Sequence, residues 1–430
     1  MASRGLIIAA PTSGAGKTTV TLALLRALHD AGHKVAGGKC GPDYIDPTFH
    51  HAACGRPSLN FDAWAMSRDT LRQQAADCAA ELLLVEGAMG VLDGAGMEGR
   101  GSAADTAEAL DVPMALVIDA GRSGASAVLP LAGLRALRPS LKLAGVILNN
   151  LASPRHGRIL SHAFDRLDIP VLAMMPRSAA YDLPQRHLGL VPAGEHAGTE
   201  RVIAGAASAL VKHCDLAAIA AVAGPLRAPA APAAGLPPIG QRIAVARDRA
   251  FAFAYPHLLD GWRAQGAEVL PFSPLSDQAP DASADAVFLP GGYPELHAET
   301  LANATVFRAG MEGLRPDTVI YGECGGYMTL GQGLVDASGT RHRMTGLLPL
   351  DTSFAQRERT LGYRRLTPLP GALWSRPLNG HEFHYASIIA EPPDHPRLFD
   401  AEDADGQALP AMGLRRNLIS GSFAHVIAPG

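Results

Sequence analysis

The sequence predicts an α/β protein with two domains, and three observations lead to this fold class. The chain has 430 residues, more than one ordinary hydrophobic core accommodates, so two domains of roughly 200 residues each are expected. Short apolar runs alternate with helical patterns up to about residue 215, as in a parallel sheet covered by helices. The same alternation begins again after a Pro/Ala-rich stretch, which predicts a second and separate sheet.

Composition narrows the class of protein further. Hydrophobic residues make up 47% and charged residues 18% of the sequence, a profile typical of a packed α/β enzyme rather than of a disordered chain. The formal net charge is -4 and the sequence has no run of Lys and Arg, which argues against a nucleic-acid-binding protein. Because no apolar stretch reaches the length of a membrane span, we expect no membrane insertion.

The five cysteines are scattered and form no CxxC pair. This pattern indicates neither a disulfide framework nor a zinc site. A reducing, cytoplasmic location fits it best. The apolar opening of the sequence leads into a phosphate-binding pattern rather than a signal-peptide cleavage site, so secretion is not expected.

The boundary between the domains is predicted where the sequence loses its periodicity. Residues 221–240 read AVAGPLRAPAAPAAGLPPIG, and such Pro/Ala density is typical of an exposed linker. We therefore predict a first domain at 1–222, a linker at 223–240 and a second domain at 241–430. The predicted strands are Leu6–Ala10, Val35–Cys40, Leu82–Glu86, Met114–Asp119, Leu143–Asn149 and Val171–Met175, then Arg242–Ala246, Ala267–Leu270, Ala286–Leu289 and Thr318–Tyr321.

A phosphate-binding loop is predicted between the first strand and a helix expected at Val20–Ala31. The loop reads SGAGKTT and lies in the strand–loop–helix context that such a loop requires. Lys17 would bring a positive charge to the outer phosphates of ATP, and the hydroxyl of Thr18 is a ligand for Mg²⁺. Pro11 replaces the first glycine of the usual pattern. The residues predicted to bind ATP here are Gly14, Gly16, Lys17, Thr18 and Thr19.

Charged and amide side chains follow the next strands of the first domain. Asp43 and Asp46 lie in GPDYIDP, and Glu86 ends the third predicted strand. The carboxyl ends of parallel strands line the ligand crevice of such a sheet, so these carboxylates are predicted to meet the Mg²⁺–phosphate group; helix capping or a turn is the alternative. Lys39 is expected at the same edge, as a second cation for phosphoryl transfer. Asn149 is predicted either to read the adenine edge or to form a turn.

A nucleophile elbow is predicted in the second domain. Cys324 lies in GECGGYM after an apolar strand, and small neighbours suit the tight turn that presents a nucleophile to solvent at a helix N-terminus. Such a position is expected to lower the pKa of the thiol. The alternative is a buried structural cysteine.

Partners for this thiol are found on either side of it in the sequence. Gly292, in LPGGYPE, and Gly325 are expected to present backbone N–H groups to an oxyanion. Spacing alone leaves three candidate bases, and the HEFH segment that holds two of them lacks the spacing of a zinc-binding HExxH motif. The three candidates are His381, His384 and His425.

The order of these motifs resembles the cobyrinate and hydrogenobyrinate a,c-diamide synthases of cobalamin biosynthesis over essentially the whole chain. The motifs run SGAGKTT, GPDYIDP, VEGAMGVLDG, LPGGYPE, GECGGYM and a late histidine. The resemblance implies a dethiobiotin-synthetase-like ATP domain joined to a class I glutamine amidotransferase domain with a flavodoxin-like sheet. It also implies that Cys324 is the nucleophile and that His425 is its base. Asp46 and Glu86 are predicted to be catalytic in the ATP domain from their position at the strand ends.

The resemblance also implies the substrates and one departure from the wider class. ATP would phosphorylate the a and c acetate carboxylates of a corrin-type tetrapyrrole, and ammonia from L-glutamine would displace the phosphate. Most class I amidotransferases carry a glutamate two residues after the histidine, where this chain has Ile427, and the cobyrinate-type subgroup typically lacks that acid. In the segment PQRHLGL, Gln185 stands where the family usually has Glu. Candidate tetrapyrrole contacts are Arg56, Arg122 and Arg155.

Several other functions compete with this interpretation. A partitioning-type switch ATPase also begins with a Gly-rich, Thr-doubled phosphate loop, but it has no use for the elbow or the second domain. Cobyric acid synthase and nickel-sirohydrochlorin a,c-diamide synthase keep the chemistry and change the acceptor. The resemblance to the family is the only ground for expecting the metal-free ring as acceptor. A homodimer is the default expectation for the oligomeric state.

Overall fold

The computed structural model describes residues 3–121, 123–181, 198–233 and 235–430, together with the backbone of 185–186 and 189–190. The candidate contact Arg122 and the side chain of Gln185 lie outside the described residues. The chain divides into two compact units, 1–233 and 234–430. This division falls within the predicted linker, and part of that linker, Gly224–Pro225, forms a short strand.

The first unit alternates strands and helices. Its strands are β1 (Arg4–Ala9), β2 (Val35–Cys40), β3 (Leu59–Phe61), β4 (Leu82–Glu86), β5 (Met114–Asp119), β6 (Leu143–Leu151), β7 (Val171–Pro176), β8 (Gln185–Arg186), β9 (Gly189–Leu190) and β10 (Gly224–Pro225). Its helices are α1 (Lys17–Asp30), α2 (Asp46–Cys54), α3 (Arg68–Asp77), α4 (Ala103–Leu110), α5 (Leu129–Leu137), α6 (Pro154–Asp165), α7 (Thr199–Val211) and α8 (Leu216–Val222).

The main sheet of this unit has the order β3-β2-β4-β1-β5-β6-β7. Neighbouring strands in this order run parallel, and β10 adds to β1 in the antiparallel sense. The central strands are buried on both faces, which explains their continuous apolar sequences. Helices α1 and α2 pack their apolar faces into the core on one side of the sheet. Helix α1 begins three residues before the predicted start, since Gly16 takes the left-handed conformation at its N-cap.

The second unit begins with another α/β series and continues into antiparallel strands. Its strands are β11 (Arg242–Ala246), β12 (Glu268–Phe272), β13 (Ala286–Leu289), β14 (Val319–Glu323), β15 (Gly333–Val335), β16 (Arg341–Arg343), β17 (Asp351–Ser353), β18 (Thr360–Pro368), β19 (Leu378–His384), β20 (Ser387–Ala390), β21 (Phe399–Glu402), β22 (Ala408–Met412), β23 (Leu414–Arg416), β24 (Ile419–Ser422) and β25 (Ala424–Pro429). Its helices are α9 (Pro256–Ala264), α10 (Ala298–Asn303), α11 (Thr305–Glu312) and α12 (Gly325–Leu330).

Two sheets of this unit share one continuous stretch of chain near its end. The first sheet has the order β12-β11-β13-β14-β24-β23, parallel except for β23, and the second is antiparallel with the order β22-β21-β18-β19-β25. Strand β24 lies beside β14, and after one residue, Phe423, the chain continues as β25 in the second sheet. This change of sheet carries the late histidine close to the end of β14. Among the described helices, none is long and apolar enough to cross a membrane.

Candidate active sites

The phosphate loop of the first unit is built around two glycines with left-handed backbone. Gly14 has φ 78° and Gly16 has φ 87°, a region that disfavours residues with a Cβ. A Cβ on Gly16 would also lie 2.1 Å from Asn149 Nδ2. The loop opens directly onto α1, whose first backbone N–H groups are suitable donors to phosphate oxygens.

Asn149 contacts the loop from β6. Its Nδ2 donates a hydrogen bond to Ala15 O at 2.9 Å, and its side chain is buried. The carboxamide therefore stabilises the shape of the loop, and adenine recognition by this residue stays a prediction.

Lys17 lies at the start of α1 and folds back over the loop. Its Nζ donates to Thr12 O at 3.4 Å and to the carbonyl oxygen of Met89. Burial, followed by the charge of Lys39, lowers the pKa of Lys17 below its ordinary value. The ammonium group is thus held near the loop by carbonyl oxygens, which phosphate oxygens can replace.

Lys39 and Glu86 form the centre of a buried charge cluster at the carboxyl edge of the sheet. They lie opposite each other in the register of β2 and β4. Lys39 Nζ is 3.0 Å from Glu86 Oε1 and also pairs with the carboxylate of Asp46 at the start of α2. Thr18 Oγ1 donates to the same Glu86 oxygen at 2.6 Å. The register of β2 and β4 and the geometry of the loop therefore bring four predicted residues together. They are Lys39, Asp46, Glu86 and Thr18.

The two acids of this cluster have opposite pKa shifts. Burial and the charge of Asp43 raise the pKa of Asp46 above its ordinary value. Burial also acts to raise the pKa of Glu86, but the charge of Lys39 and a hydrogen bond from His50 outweigh it and lower that pKa. Glu86 therefore stays anionic, whereas Asp46 is the carboxylate that takes up a proton more easily.

Asp43 has a different environment from the other two acids. Its Oδ1 accepts hydrogen bonds from the backbone N–H groups of Ile45 and Asp46, at 2.8 and 3.0 Å. Its Oδ2 is 4.0 Å from Lys39 Nζ. Asp43 thus forms the turn that begins α2, one of the alternatives left open by the sequence, and also borders the charge cluster.

His50 is a member of the cluster that was missed in the sequence. Its Nε2 lies 2.9 Å from Glu86 Oε2 and its Nδ1 lies 3.0 Å from Ser58 Oγ, in a fully buried position. His50 follows Asp46 by four residues on α2, so both face the same side of that helix. This four-residue spacing is the sequence pattern from which His50 could have been predicted.

The residues around Thr18 suit Mg²⁺ in their chemistry. A hydroxyl oxygen and an anionic carboxylate oxygen lie 2.6 Å apart at the phosphate loop, and Mg²⁺ prefers such ligands together with phosphate oxygens. Within the described part of the chain, no group of three or more His, Cys, Asp or Glu side chains is arranged to hold a metal ion. The predicted set of Thr18, Asp43, Asp46 and Glu86 stays a prediction, with Thr18 and Glu86 closest to the loop.

The predicted tetrapyrrole contacts Arg56 and Arg155 lie on different segments of the first unit. Arg56 follows α2 and donates to Ala79 O at 3.4 Å. Arg155 is exposed in the first turn of α6. Their proposed role is not tested by these contacts.

Cys324 of the second unit occupies a strained turn between β14 and α12. Its backbone has φ 46° and ψ -106°, values that a residue with a side chain adopts only when its surroundings impose them. Its N–H donates to Ser422 O at 2.8 Å, which fixes the turn against β24. This is the strand–turn–helix geometry of a nucleophile elbow.

Gly291 lies between Cys324 and His425. A Cβ at Gly291 would lie 2.2 Å from His425 Cε1, 3.0 Å from His425 Nε2 and 3.2 Å from Cys324 Cβ. Only glycine fits there without moving one of the two side chains. The imidazole and the thiol therefore share one small space, as the predicted pair requires.

The predicted oxyanion residues are also close together. A Cβ on Gly325 would lie 3.0 Å from Gly292 N, so the loop after β13 runs alongside the first residue of α12. The backbones of the two predicted oxyanion-binding residues thus lie side by side at the elbow, as two N–H donors to one oxyanion require.

The thiol differs from the expectation of an exposed residue with a lowered pKa. Cys324 is only 3% exposed, and its Sγ lies 3.8 Å from Phe383 O of β19. Burial raises the pKa of the Cys324 thiol, and the charge of Glu295 adds to this effect. That expectation was wrong, because the antiparallel sheet covers the elbow and α12 has only six residues.

The three candidate bases differ in their surroundings. His384 is held at both ring nitrogens, by Ala386 O and Glu382 Oε1, each at 3.0 Å. His381 lies beside His425 in the register of β19 and β25. Burial, followed by His381 and His384, lowers the pKa of His425 to about 3. His425 is therefore neutral and, with its Nε2 at Gly291, is the candidate best placed to accept the thiol proton.

The chain matches known families along both units. Residues 6–191 match the CobQ/CobB/MinD/ParA nucleotide binding domain. Residues 242–429 match the CobB/CobQ-like glutamine amidotransferase domain. The P-loop parallel-sheet domain and the amidotransferase domain predicted from the sequence are thereby confirmed.

Curated relatives match over nearly the full chain. The hydrogenobyrinate a,c-diamide synthase of Rhizobium meliloti strain 1021 is 52% identical, across 98% of this chain and 99% of that protein. The enzymes of the same name from Brucella abortus and Rhodobacter capsulatus are each 51% identical; each alignment covers 99% of this chain, with 98% and 99% of the respective relatives. The chain therefore belongs to the hydrogenobyrinate a,c-diamide synthase family.

Proposed function

We propose that this enzyme amidates the a and c acetate carboxylates of hydrogenobyrinate, using ATP and the ammonia released from L-glutamine. The observation that carries the proposal is the presence, in one chain, of a phosphate loop with a buried Lys–Glu pair and of a cysteine elbow with a neutral histidine. Neither half completes this reaction alone. Full-length relatives of the same name support the choice of acceptor.

The first unit would activate the carboxylate. The oxygen of a carboxylate is a poor leaving group, so its attack on the γ-phosphorus of ATP, with release of ADP, gives an acyl phosphate that an amine can displace. Lys17 and the loop N–H groups would hold the phosphates, and Lys39 would neutralise charge on the transferred group. Thr18 and Glu86 would hold Mg²⁺, which supplies further positive charge to the phosphates.

Asp46 is proposed to act on the acceptor rather than on ATP. It lies beside Lys39 at the start of α2. Its carboxylate would hold Lys39 in place to pair with the incoming acceptor carboxylate and orient it for attack, while Glu86 stays anionic and contacts Lys39 and Thr18.

The second unit would release ammonia from glutamine. His425 Nε2 takes the proton of Cys324 Sγ as the sulfur attacks the carboxamide carbon, and the N–H groups of Gly292 and Gly325 bind the oxyanion. The proton then passes to the leaving nitrogen, ammonia departs, and water hydrolyses the thioester to glutamate. Burial of the thiol favours transfer of its proton at the moment of attack over a standing thiolate.

The main competing functions make different use of the two units. The family matched by the first unit includes MinD and ParA in its description, so that unit alone is compatible with a switch ATPase. The second unit is matched by a glutamine amidotransferase family, for which a switch ATPase has no use. Cobyric acid synthase and nickel-sirohydrochlorin a,c-diamide synthase differ only in the acceptor.

The test is to supply the purified chain with ATP, Mg²⁺ and glutamine, and with either hydrogenobyrinate or cobyrinate. We expect two amidations of the metal-free ring, with ADP, phosphate and glutamate formed in step with them. Amidation of cobyrinate alone would replace the proposed acceptor. Glutamine and ATP turnover with no amidation of either ring would contradict the proposed substrate class.

A further inference from the structure

A buried carboxylate lies beside the histidine of the glutamine site. Glu323 is the last residue of β14 and directly precedes Cys324. Its Oε2 is 3.9 Å from His425 Nδ1, and both side chains are only 2% exposed. Its Oε1 accepts a hydrogen bond from Val426 N at 3.0 Å. One carboxylate thus faces the ring of His425 and holds the backbone that follows it.

The two strands around this contact are fixed to each other. Glu323 lies opposite Ser422 in the parallel register of β14 and β24, and the N–H of Cys324 donates to Ser422 O at 2.8 Å. The chain that carries His425 begins two residues later, in β25. Nucleophile, carboxylate and histidine are therefore held in one rigid frame. Ile427, where the wider class carries its acid, is buried and apolar.

We propose that Glu323 is the positioning acid of the glutamine site, taking the place of the acid that position 427 lacks. The inference rests on the proposed roles of Cys324 and His425. The carboxylate would accept a hydrogen bond from His425 Nδ1–H, so that Nε2 carries no proton and can take that of the thiol. It would then stabilise the imidazolium until that proton passes to the leaving ammonia. Hydrogen bonds of this kind are often long in substrate-free enzymes and shorten in the complex.

The electrostatics of the site favour a negative charge beside His425. Burial, His381 and His384 disfavour a charged His425, so an imidazolium there needs a nearby anion. The negative charge of the Cys324 thiolate is lost when the sulfur attacks glutamine, whereas the Glu323 carboxylate remains beside the imidazolium. Burial raises the pKa of Glu323 to about 8. Because Glu323 Oε2 lies 3.9 Å from His425 Nδ1, formation of the imidazolium and ionisation of Glu323 favour each other.

Other polar groups face these three side chains and enter any pH profile. Glu323 is faced by Val426 and by Tyr321 of its own strand. Cys324 is faced by carboxylates from two further elements, Glu295 after β13 and Glu382 of β19. Because these groups are unchanged in a variant of Glu323, the comparison between variant and wild type isolates the carboxylate.

The test variant is Glu323→Gln, since the amide oxygen can still accept from Val426 N while the negative charge is lost. Asp285→Asn is the matched control. Asp285 directly precedes β13, at the end of the strands opposite to the elbow, and accepts hydrogen bonds from Gln241 N and Arg242 N. Cys324→Ala serves as the inactive reference. The full chain is used throughout, and hydrogen exchange of peptides from the second unit reports whether that unit is folded in each variant.

Two measurements separate positioning from a merely structural role. For Glu323→Gln, kcat for glutamine hydrolysis should fall by about 10²-fold or more, as for the acid of other triads, with little change in KM. Alkylation of Cys324 by iodoacetamide, followed against pH, should require a higher pH than in the wild type. Ammonia-driven amidation and the Asp285→Asn control should match the wild type.

Other outcomes would overturn the inference or the function beneath it. Glutamine hydrolysis and alkylation like the wild type would reduce Glu323 to a backbone anchor. Glutamine hydrolysis by Cys324→Ala would instead overturn the proposed nucleophile. If hydrogen exchange shows that the second unit of Glu323→Gln is unfolded, NMR of the ¹⁵N-histidine-labelled wild type decides, with His425→Gln for assignment. The inference requires the proton of neutral His425 on Nδ1, and a proton on Nε2 contradicts it.

Discussion

Removal of the Lys39 charge should destabilise the first unit, because two carboxylates would lose their cation. Lys39 and Glu86 side chains are 6% and 1% exposed, with Nζ and Oε1 3.0 Å apart. At an effective dielectric constant of about 20, this separation corresponds to roughly 5 kcal/mol of attraction. Breaking a buried pair by removing one partner costs about 3–5 kcal/mol. Lys39→Met should therefore lower the local free energy of unfolding by about that amount.

The loss of stability in Lys39→Met should increase with pH. Without Lys39, the folded-state pKa of Asp46, already raised by burial, rises further, and that of Glu86 rises as well, so that both exceed the values of the unfolded chain. A raised carboxyl pKa means that the folded state binds more protons, so stability falls as the pH rises. The penalty should be larger at pH 8 than at pH 5.5, where protonation relieves the unpaired charges.

Hydrogen exchange of the full-length chain, read by mass spectrometry, measures this effect unit by unit. Peptides from β2, α2 and β4 should exchange at least roughly 10²-fold faster in Lys39→Met, since 1.4 kcal/mol corresponds to tenfold. Peptides of the second unit should be unchanged. Lys34→Met, the same substitution at an exposed lysine just before β2, is the control. Less than fivefold faster exchange at pH 8 would refute the reasoning.

Three further variants test separate parts of the account. Asp46→Asn and Glu86→Gln should each lower kcat for ammonia-driven amidation by at least tenfold with a smaller change in KM for ATP, as expected for groups that act mainly in the transition state; near-normal kcat with raised KM would make them binding groups. Gly291→Ala should abolish glutamine hydrolysis and leave ammonia-driven amidation intact, because its Cβ would displace His425 or Cys324. Normal glutaminase activity in that variant would contradict the described geometry.

The parallel strands were predicted well because burial on both faces leaves a plain signal. The predicted bounds of the strands at Val35–Cys40, Leu82–Glu86 and Met114–Asp119 agree with the structure. Each is a short run without helical periodicity, followed by a turn or a loop. The three-residue β3 was missed, since so short a strand has no pattern to detect.

The antiparallel strands of the second unit were not predicted, and this has a physical reason. In β18 and β22 the exposed and buried residues alternate imperfectly, and pairing partners such as β19 and β25 lie far apart in the sequence. Their register depends on the chain crossing from one sheet to the other after β24. Sequence patterns report local periodicity and carry little information on such pairing.

Site residues divide in the same way. Lys17, Cys324 and the glycines around them belong to local motifs, so the sequence identified them directly. The contacts of Glu323 with His425 and of His50 with Glu86 join distant segments, and only the folded chain brings them together. Burial of the Cys324 thiol has the same origin, since β19 covers an elbow that the motif alone suggests is exposed.

The central claim is that the two units divide one reaction, and a comparison of nitrogen sources tests it most directly. Wild type, Cys324→Ala and Lys17→Ala are each given hydrogenobyrinate and ATP with either glutamine or ammonia, and the amidated product is measured. The account predicts amidation by wild type from both sources, by Cys324→Ala from ammonia alone, and by Lys17→Ala from neither. Glutamine-driven amidation by Cys324→Ala, or ammonia-driven amidation by Lys17→Ala, would contradict it.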